Sequence, residues 1–472
     1  MIGGGTTLSR RLERYREAAR SVDAAATRSP AIEPGQGLAE RLAATMDGEI
    51  VTTAEGTIVR CEVPTRSIPL DRERLATLPG QPPPGAPLVC LDTETTGLAT
   101  AAGTVAWLIG LGWWETDDRF RQVQLLLPDH SEERALLTAI AATISPAAWL
   151  VTYNGRGFDW PLLVARYRLA RRSAPGHDGH LDLLPIVRRL FRHRMANARL
   201  RTAEAELLGL HRIGDIEGWE IPSRYLRFLC GGPADLLVEV VRHNDQDVRS
   251  LARLLVHLES RLGDPDRRAG AVSGDLAGLA RAFSRERRLG EALDCLDAAL
   301  RQTDAARPAR FDESAAPAIR VAARETRAAD EDPWWSPRRP ADFGGRPRRV
   351  PIFGGVPQDA AFDAPWTTER IAMDRAHLLR RLGRYGEAAT AWEAIAAGTG
   401  RDAILATIEL AKLHEHRLGD RVAAIAAALR GFSLVERRRR IGRPEPALEA
   451  DLIRRHDRLR RRQQLVRRRI VA

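Results

Sequence analysis

The spacing of apolar positions changes along the chain, and the changes divide it. Crowded apolar and β-branched runs at LVCLDT (from 88), TVAWLIGLGWW (104–114), RFRQVQLLL (119–127) and AWLVTYN (148–154) predict strands. EERALLTAIAATI (132–144) and DWPLLVARYRLARR (159–172) carry helical spacing, as do residues around 184–208. LLVEVVRHNDQDVRSLARLLVHLESRL (236–262) predicts one long amphipathic helix. Strands that mostly come first and then alternate with helices imply an α/β domain with a mixed sheet, over 88–265. Its expected start follows a proline-rich connector, LPGQPPPGAP (78–87). Residues 1–87 read as an extension, in which RRLERYREAARSVDAAA and LAERLAATM predict short helices. IVTTAEGTIVRCEV (50–63) predicts two β runs about a glycine turn.

From 270 onward the strand signal ends. Three segments, starting at Leu279, Arg375 and Leu410, each carry an alanine on a first helix and another twelve positions later. The pairs are Ala280 and Ala292, Ala376 and Ala388, Ala411 and Ala423, and the last two copies lie 35 residues apart. This resembles tetratricopeptide helix pairs, whose period is about 34 and whose small residues mark the closest helix approach. Most tryptophans and prolines of that repeat are missing, so a generic alanine-rich hairpin array is the alternative. The expectation is an all-α tetratricopeptide-like domain with a first hairpin over 270–302 and further hairpins over 369–436. Between them, 303–368 is rich in proline, arginine and glycine and reads as a linker; its Trp334 and Trp335 can clamp the chain, dock on a partner or stack on bases. Over 437–472, Leu448, Leu452, Leu459, Val466 and Ile470 recur at helical spacing among arginines and predict a tail helix.

With 472 residues, 44% hydrophobic and 29% charged, the chain has ordinary globular composition and room for more than one core. Residues 95–114 are uncharged over about the length of a bilayer span, but glycines and threonines dilute them, so a buried hairpin is expected and no membrane partner. Cys61, Cys90, Cys230 and Cys295 lack zinc or redox spacing, and MIGGGTTLSRRLERYREAAR is too polar for a secretory signal; a cytoplasmic protein is expected. Lys412 is the only lysine, which excludes a P-loop, and no G-x-G-x-x-G or G-x-S-x-G occurs. The net charge is +11, and residues 437–472 alone hold 14 arginines against four acids, so the tail is a candidate surface for nucleic acid or another polyanion.

Candidate chemistry begins in LVCLDTETTGL (88–98). Alternate strand residues share a face, so Asp92 and Glu94 point the same way and invite a divalent cation. In LVTYNGRGFDWPLL (150–163) a strand delivers Tyr153 and Asn154, and Asp159 opens a helix, where alone it reads as an N-cap. VVRHNDQDVRSLARLL sets His243 and Asp247 at i and i+4 on one helix face, with Asp245 turned elsewhere toward solvent. Asp182 in HLDLL reads as structural, and His177 and His180 as a surface loop.

In this order, the residues resemble the DEDD exonucleases of the ribonuclease H-like superfamily, nearest to its YprB-type predicted exonucleases. HLDLL (180–184), GWEIPSRY (218–225) and HNDQDVRSL (243–251) extend the resemblance over about 175 residues. It implies 3′-5′ hydrolysis of DNA or RNA by two Mg²⁺ or Mn²⁺ ions held by Asp92, Glu94, Asp159 and Asp247, with His243 as general base. Thr95, Gly97, Leu98 and Asn154 match substrate-side positions. The histidine stands four residues before the last aspartate, the spacing of the family's tyrosine branch, whereas its histidine branch uses five; this bears on the role of His243 and not on the ligands. The helical domain is expected to bind a protein partner or place substrate. A binding scaffold without turnover and a structure-selective endonuclease are the competing functions.

Overall fold

The computed structural model describes residues 37–97, 103–305 and 366–471, with backbone alone at 304, 305 and 462–471. The described residues open with α1 (Leu38–Met46), β1 (Glu49–Thr53) and β2 (Gly56–Ser67), the two strands joined at Gly56, whose φ of 133° favours glycine. Then come α2 (Arg72–Ala76), β3 (Leu88–Thr95), β4 (Ala106–Trp114), β5 (Arg119–Leu126), α3 (Glu133–Thr143), β6 (Trp149–Thr152) and α4 (Asp159–Leu169). β7 (Gly179–Asp182), α5 (Leu183–Phe191), α6 (Leu200–Ala203), α7 (Ile221–Leu229) and α8 (Val238–Leu258) complete this part.

The seven strands form one mixed sheet in the order β1-β2-β5-β4-β3-β6-β7. β3 pairs antiparallel with β4 and parallel with β6, and β6 parallel with β7. The expected domain start at 88 therefore falls inside the sheet, because β2 pairs along β5. A proline-rich stretch can interrupt a sheet without ending it, since pairing is decided by partners distant in sequence.

Along β3, Leu88 and Cys90 join a core with Val248, Leu251 and Leu255 of α8, while Val89 and Leu91 join one with residues of α3 and α4. A fully buried leucine or valine contributes about 1.5–3 kcal/mol, so both faces are held firmly. α8 comes close to the sheet because β4 offers no side chain there. A Cβ on Gly110 would lie 2.4 Å from Asn244 Oδ1, and one on Gly112 would lie 2.9 Å from Val248. Beside these glycines, Gln124 donates to the carbonyl of Val241 (2.8 Å) and Gln122 to that of Asp245 (3.2 Å), tying β5 to α8.

After α9 (Pro265–Arg268) come α10 (Ser273–Arg285), α11 (Leu289–Ala305), α12 (Thr368–Arg381), α13 (Tyr385–Ala396), α14 (Arg401–Leu413), α15 (Arg421–Arg440) and α16 (Pro446–Val471). Each of the helices from α10 on packs chiefly on its neighbours in sequence, and α10 also packs on α5, where a Cβ on Gly278 would meet the Arg189 carbonyl at 2.6 Å. Ala280 with Ala292 and Ala376 with Ala388 are buried, as the twelve-residue pattern predicts. In the third copy Ala411 is buried but its partner is Ala424, not Ala423. A π-helical turn, His414–Leu418, adds a residue between the helices and moves the register by one. The expected helix at 10–26, residues 306–365 with Trp334 and Trp335, and the side chains of Val466 and Ile470 lie outside the described residues. Among the described residues no helix is long and apolar enough to cross a membrane.

Candidate active site

β3 carries Asp92 and Glu94 on the face toward α8. On α8, Asn244 is fully buried and donates through Nδ2 to Asp92 Oδ2 (2.9 Å), while its Oδ1 accepts from Gln124 (2.9 Å). From the other layer Asp159, buried at the first turn of α4, accepts from Thr93 Oγ1 at 2.5 Å. Phe158 stands at the N-cap position, so Asp159 is not spent on capping. His243 Nε2 lies 3.6 Å from Asp247 and 4.0 Å from Glu94. The four expected carboxylates and the imidazole thus converge from β3, α4 and α8.

The electrostatics follow from that convergence. Burial, then repulsion from Asp247, Glu94 and Asp159, raises the Asp92 carboxyl well above its ordinary value. Burial likewise pushes Glu94 up to about 8, even against the attraction of His243, and Asp159 up to about 6. Burial alone would lower the His243 imidazole, but Asp247, the hydrogen bond to Asp215 and Glu94 outweigh it and raise it to about 9.

A buried charge network, which sequence reasoning missed, backs the site. The Arg212 side chain is 3% exposed and grips Glu204 with two hydrogen bonds, Nε to Oε2 at 2.6 Å and Nη2 to Oε1 at 2.5 Å. It also donates to Asp215 (3.0 Å) and to Asp247. Asp215 sits 2.6 Å from His243 Nδ1; Arg212 Nη1 lies 3.2 Å from the same nitrogen. Reading the Nδ1 proton as donated to Asp215 leaves Nε2 directed at the carboxylates. Burial opposes ionisation of Asp215, yet His243 and Arg212 prevail and hold it down at about 2. The available signal was HRIGD (211–215), an arginine and an aspartate three apart in a glycine-containing loop, shortly after Glu204 in the preceding helical run.

The remaining expected residues fare unevenly. Asn154 adopts a left-handed φ of 69°, and its backbone N–H donates to Asp182 (2.7 Å), so the turn before Asp159 is pinned. Asp182 also accepts from the backbone of Arg156 (3.2 Å) and Leu184 (3.1 Å), a structural part as expected. The Thr95 hydroxyl is engaged by the Gly97 carbonyl (2.5 Å) at the end of β3, and Leu98 lies outside the described residues. Two readings are corrected. Asp245 is not solvated: its carboxylate is largely buried and paired with Arg249, because α8 is covered on that side as well. His180 is not in a surface loop but buried in β7, hydrogen-bonded to Thr152 (2.8 Å). Tyr225 of GWEIPSRY stacks on Trp107 at 4.3 Å and serves the core.

Residues 89–259 match the family model of the RNase H superfamily. The sheet and its flanking helices have the RNase H-like fold, and the chain continues into an all-α region. An uncharacterized protein of Bacillus subtilis (strain 168), YprB, is 39% identical over 177 residues, 37% of this chain. The match spans 42% of that relative's length.

Whether the residues suit divalent ions is decided by their chemistry. Four oxygen-donor carboxylates gathered in one site, three of them (Asp92, Glu94 and Asp159) raised by burial first and by their acidic neighbours after it, fit a hard cation such as Mg²⁺ or Mn²⁺. As they stand, no three His, Cys, Asp or Glu side chains among the described residues close tightly enough to grip one ion. Protein donors hold the carboxylates apart instead: Asn244 holds Asp92, Thr93 holds Asp159 and Arg212 holds Asp247.

Proposed function

We propose that this chain is a metal-dependent 3′-5′ exonuclease that hydrolyses phosphodiester bonds of DNA or RNA. The observation that carries the reading is the buried convergence of Asp92, Glu94, Asp159 and Asp247 around one imidazole. These four carboxylates would hold two Mg²⁺ or Mn²⁺ ions. When bound, such ions polarise the phosphate and make a water nucleophilic near neutral pH.

The chain's own residues do the rest. With cations on the carboxylates, His243 would lose the attraction that keeps it charged; its Nε2 is then free to take a proton, while Asp215 retains the proton on Nδ1 and fixes the ring. Arg212 keeps Asp215 and Asp247 from drifting apart. Thr95, Gly97, Leu98 and Asn154 would flank the terminal nucleotide. The helical region is proposed as a tetratricopeptide-like module for a protein partner or for substrate placement. Four free cysteines suit the reducing cytoplasm proposed as its location.

The test is a time course on 5′-labelled single-stranded DNA and RNA with Mg²⁺, Mn²⁺ or EDTA, beside Asp92→Asn and Asp159→Asn. A ladder shortening from the 3′ end is expected, lowered about a thousandfold or more in either variant because several kcal/mol of charge stabilisation is lost. Intact substrate under every metal would leave a binding scaffold. Cutting of circular DNA would make the enzyme an endonuclease.

A further inference from the structure

A cleft of about 700 Å³ opens in the helical region, far along the chain from the carboxylates. Arg380 and Arg381 end α12, Lys412 ends α14, Arg417 lies in the π-helical turn, and Arg455 and Arg458 come from α16. These six permanent cations face the cleft, and none of its lining residues is acidic. Two neighbouring carboxylates answer part of that charge. Glu409 pairs with Arg380 (2.7 Å) and Lys412 (2.6 Å). Glu415, almost fully buried, pairs with Arg455 (3.2 Å) and Arg458 (2.7 Å). Glu409 and Glu415 lie outside the lining itself, which is cationic throughout, and like charge concentrated in a concave wall favours an anion there.

The lining tells which anion. A peptide partner needs apolar pockets for anchor side chains, and here Leu413 is the one aliphatic side chain in the lining. Tyr385 and the imidazole of His416 are its rings, with the Arg417 guanidinium 5.7 Å from that of Tyr385. A cationic groove with an aromatic wall suits a single-stranded nucleic acid, whose charge repeats at every residue. Five of the six cations are arginines, whose planar fork matches phosphate oxygens in pairs. The charge also continues beyond the cleft, with Arg454, Arg460 and Arg461 exposed along α16.

We infer that this cleft binds the phosphate backbone of single-stranded nucleic acid without regard to sequence, as a holding site separate from the carboxylates. The choice of ligand rests on the nuclease reading. Arg381 and Arg417 are the variants of choice, both exposed and remote from the candidate active site.

Fluorescence anisotropy of a labelled oligothymidylate of about 30 nucleotides is followed with the full-length chain in EDTA, over about 50–300 mM salt. In the double variant Arg381→Glu/Arg417→Glu, affinity is expected to fall about tenfold or more. The slope of log K against log salt is expected to shrink by about 1.4, since each lost phosphate contact removes about 0.7 for a single strand. Arg381→Ala/Arg417→Ala should show the same slope change and guards against misfolding of the charge-reversed protein. Cleavage of a trinucleotide, which engages the carboxylates alone, should be unchanged. Wild-type affinity and slope in both double variants would overturn the inference, as would tighter binding of an oligoglutamate peptide than of the oligonucleotide. Loss of binding in the variants from a wild type that never cleaves would sink the nuclease reading and leave the cleft standing. Cleavage with unaltered binding would do the reverse.

Discussion

Asp215 lies outside every acidic motif in the sequence, yet it decides what His243 can do. A histidine among three carboxylates has two nitrogens and a choice of tautomer; the 2.6 Å contact to Asp215 removes the choice and directs Nε2 at Glu94 and Asp247. Asp215→Asn is expected to lower kcat about a hundredfold with KM little changed, because an amide can also donate to Nδ1 and stabilise the wrong tautomer. Steady-state kinetics beside Asp215→Glu, which restores a carboxylate and should recover part of kcat, checks it. A raised KM at constant kcat would show instead that Asp215 serves substrate binding. The acids were legible because their types and order are unusual. Arg212 was not, since one arginine among 72 carries no signal until burial leaves it facing three carboxylates.

The approach of α8 to the sheet is what brings Asn244, His243 and Asp247 over β3. That approach depends on Gly110 and Gly112 in a strand that sequence reading recognises but whose glycines it does not explain. Gly110→Ala would drive a methyl group into Asn244 and Val248 and is expected to cost about 1–3 kcal/mol. Urea denaturation measures the cost. Activity should fall as well, because Asn244 is displaced from Asp92; unaltered stability would mean that α8 has slack. The helical hairpins teach the same lesson in reverse. Two alanine pairs follow the sequence spacing, and the third slips by one because a π-helical turn cannot be seen in a list of small residues.

Over the whole molecule, the candidate site is a liability without a cation. Glu94 rises from an ordinary 4.5 to about 8 and Asp159 from 3.8 to about 6, in each case through burial first. The folded state therefore binds protons that the unfolded chain has already released, so stability falls as pH rises. His243, raised from 6.5 to about 9, acts in the same direction, since its folded-state charge is lost toward pH 9. In EDTA the melting temperature is expected to drop between about pH 5 and 9. Mg²⁺ or Mn²⁺ should restore it, and more at pH 8 than at pH 6, where protons already relieve the repulsion. A melting temperature indifferent to both pH and metal would show that the carboxylates do not compete for one site.

By itself, the sequence determined the classes of element, the mixed α/β character, the helical region after 270 and the identity of the acids on β3, α4 and α8. These are local matters: periodicity follows from backbone geometry, and acidic residues stand out one by one. Tertiary structure alone decided that the sheet begins before residue 88, that Asp245 is paired and largely covered, that His180 is buried, and that Arg212, Asp215 and Glu204 stand behind the site. It also gathered cations from α12, α14 and α16 into one cleft. The physical reason is common to all of these. Burial and charge pairing depend on which distant segments meet, and a residue's type says what it can do but not what it will face.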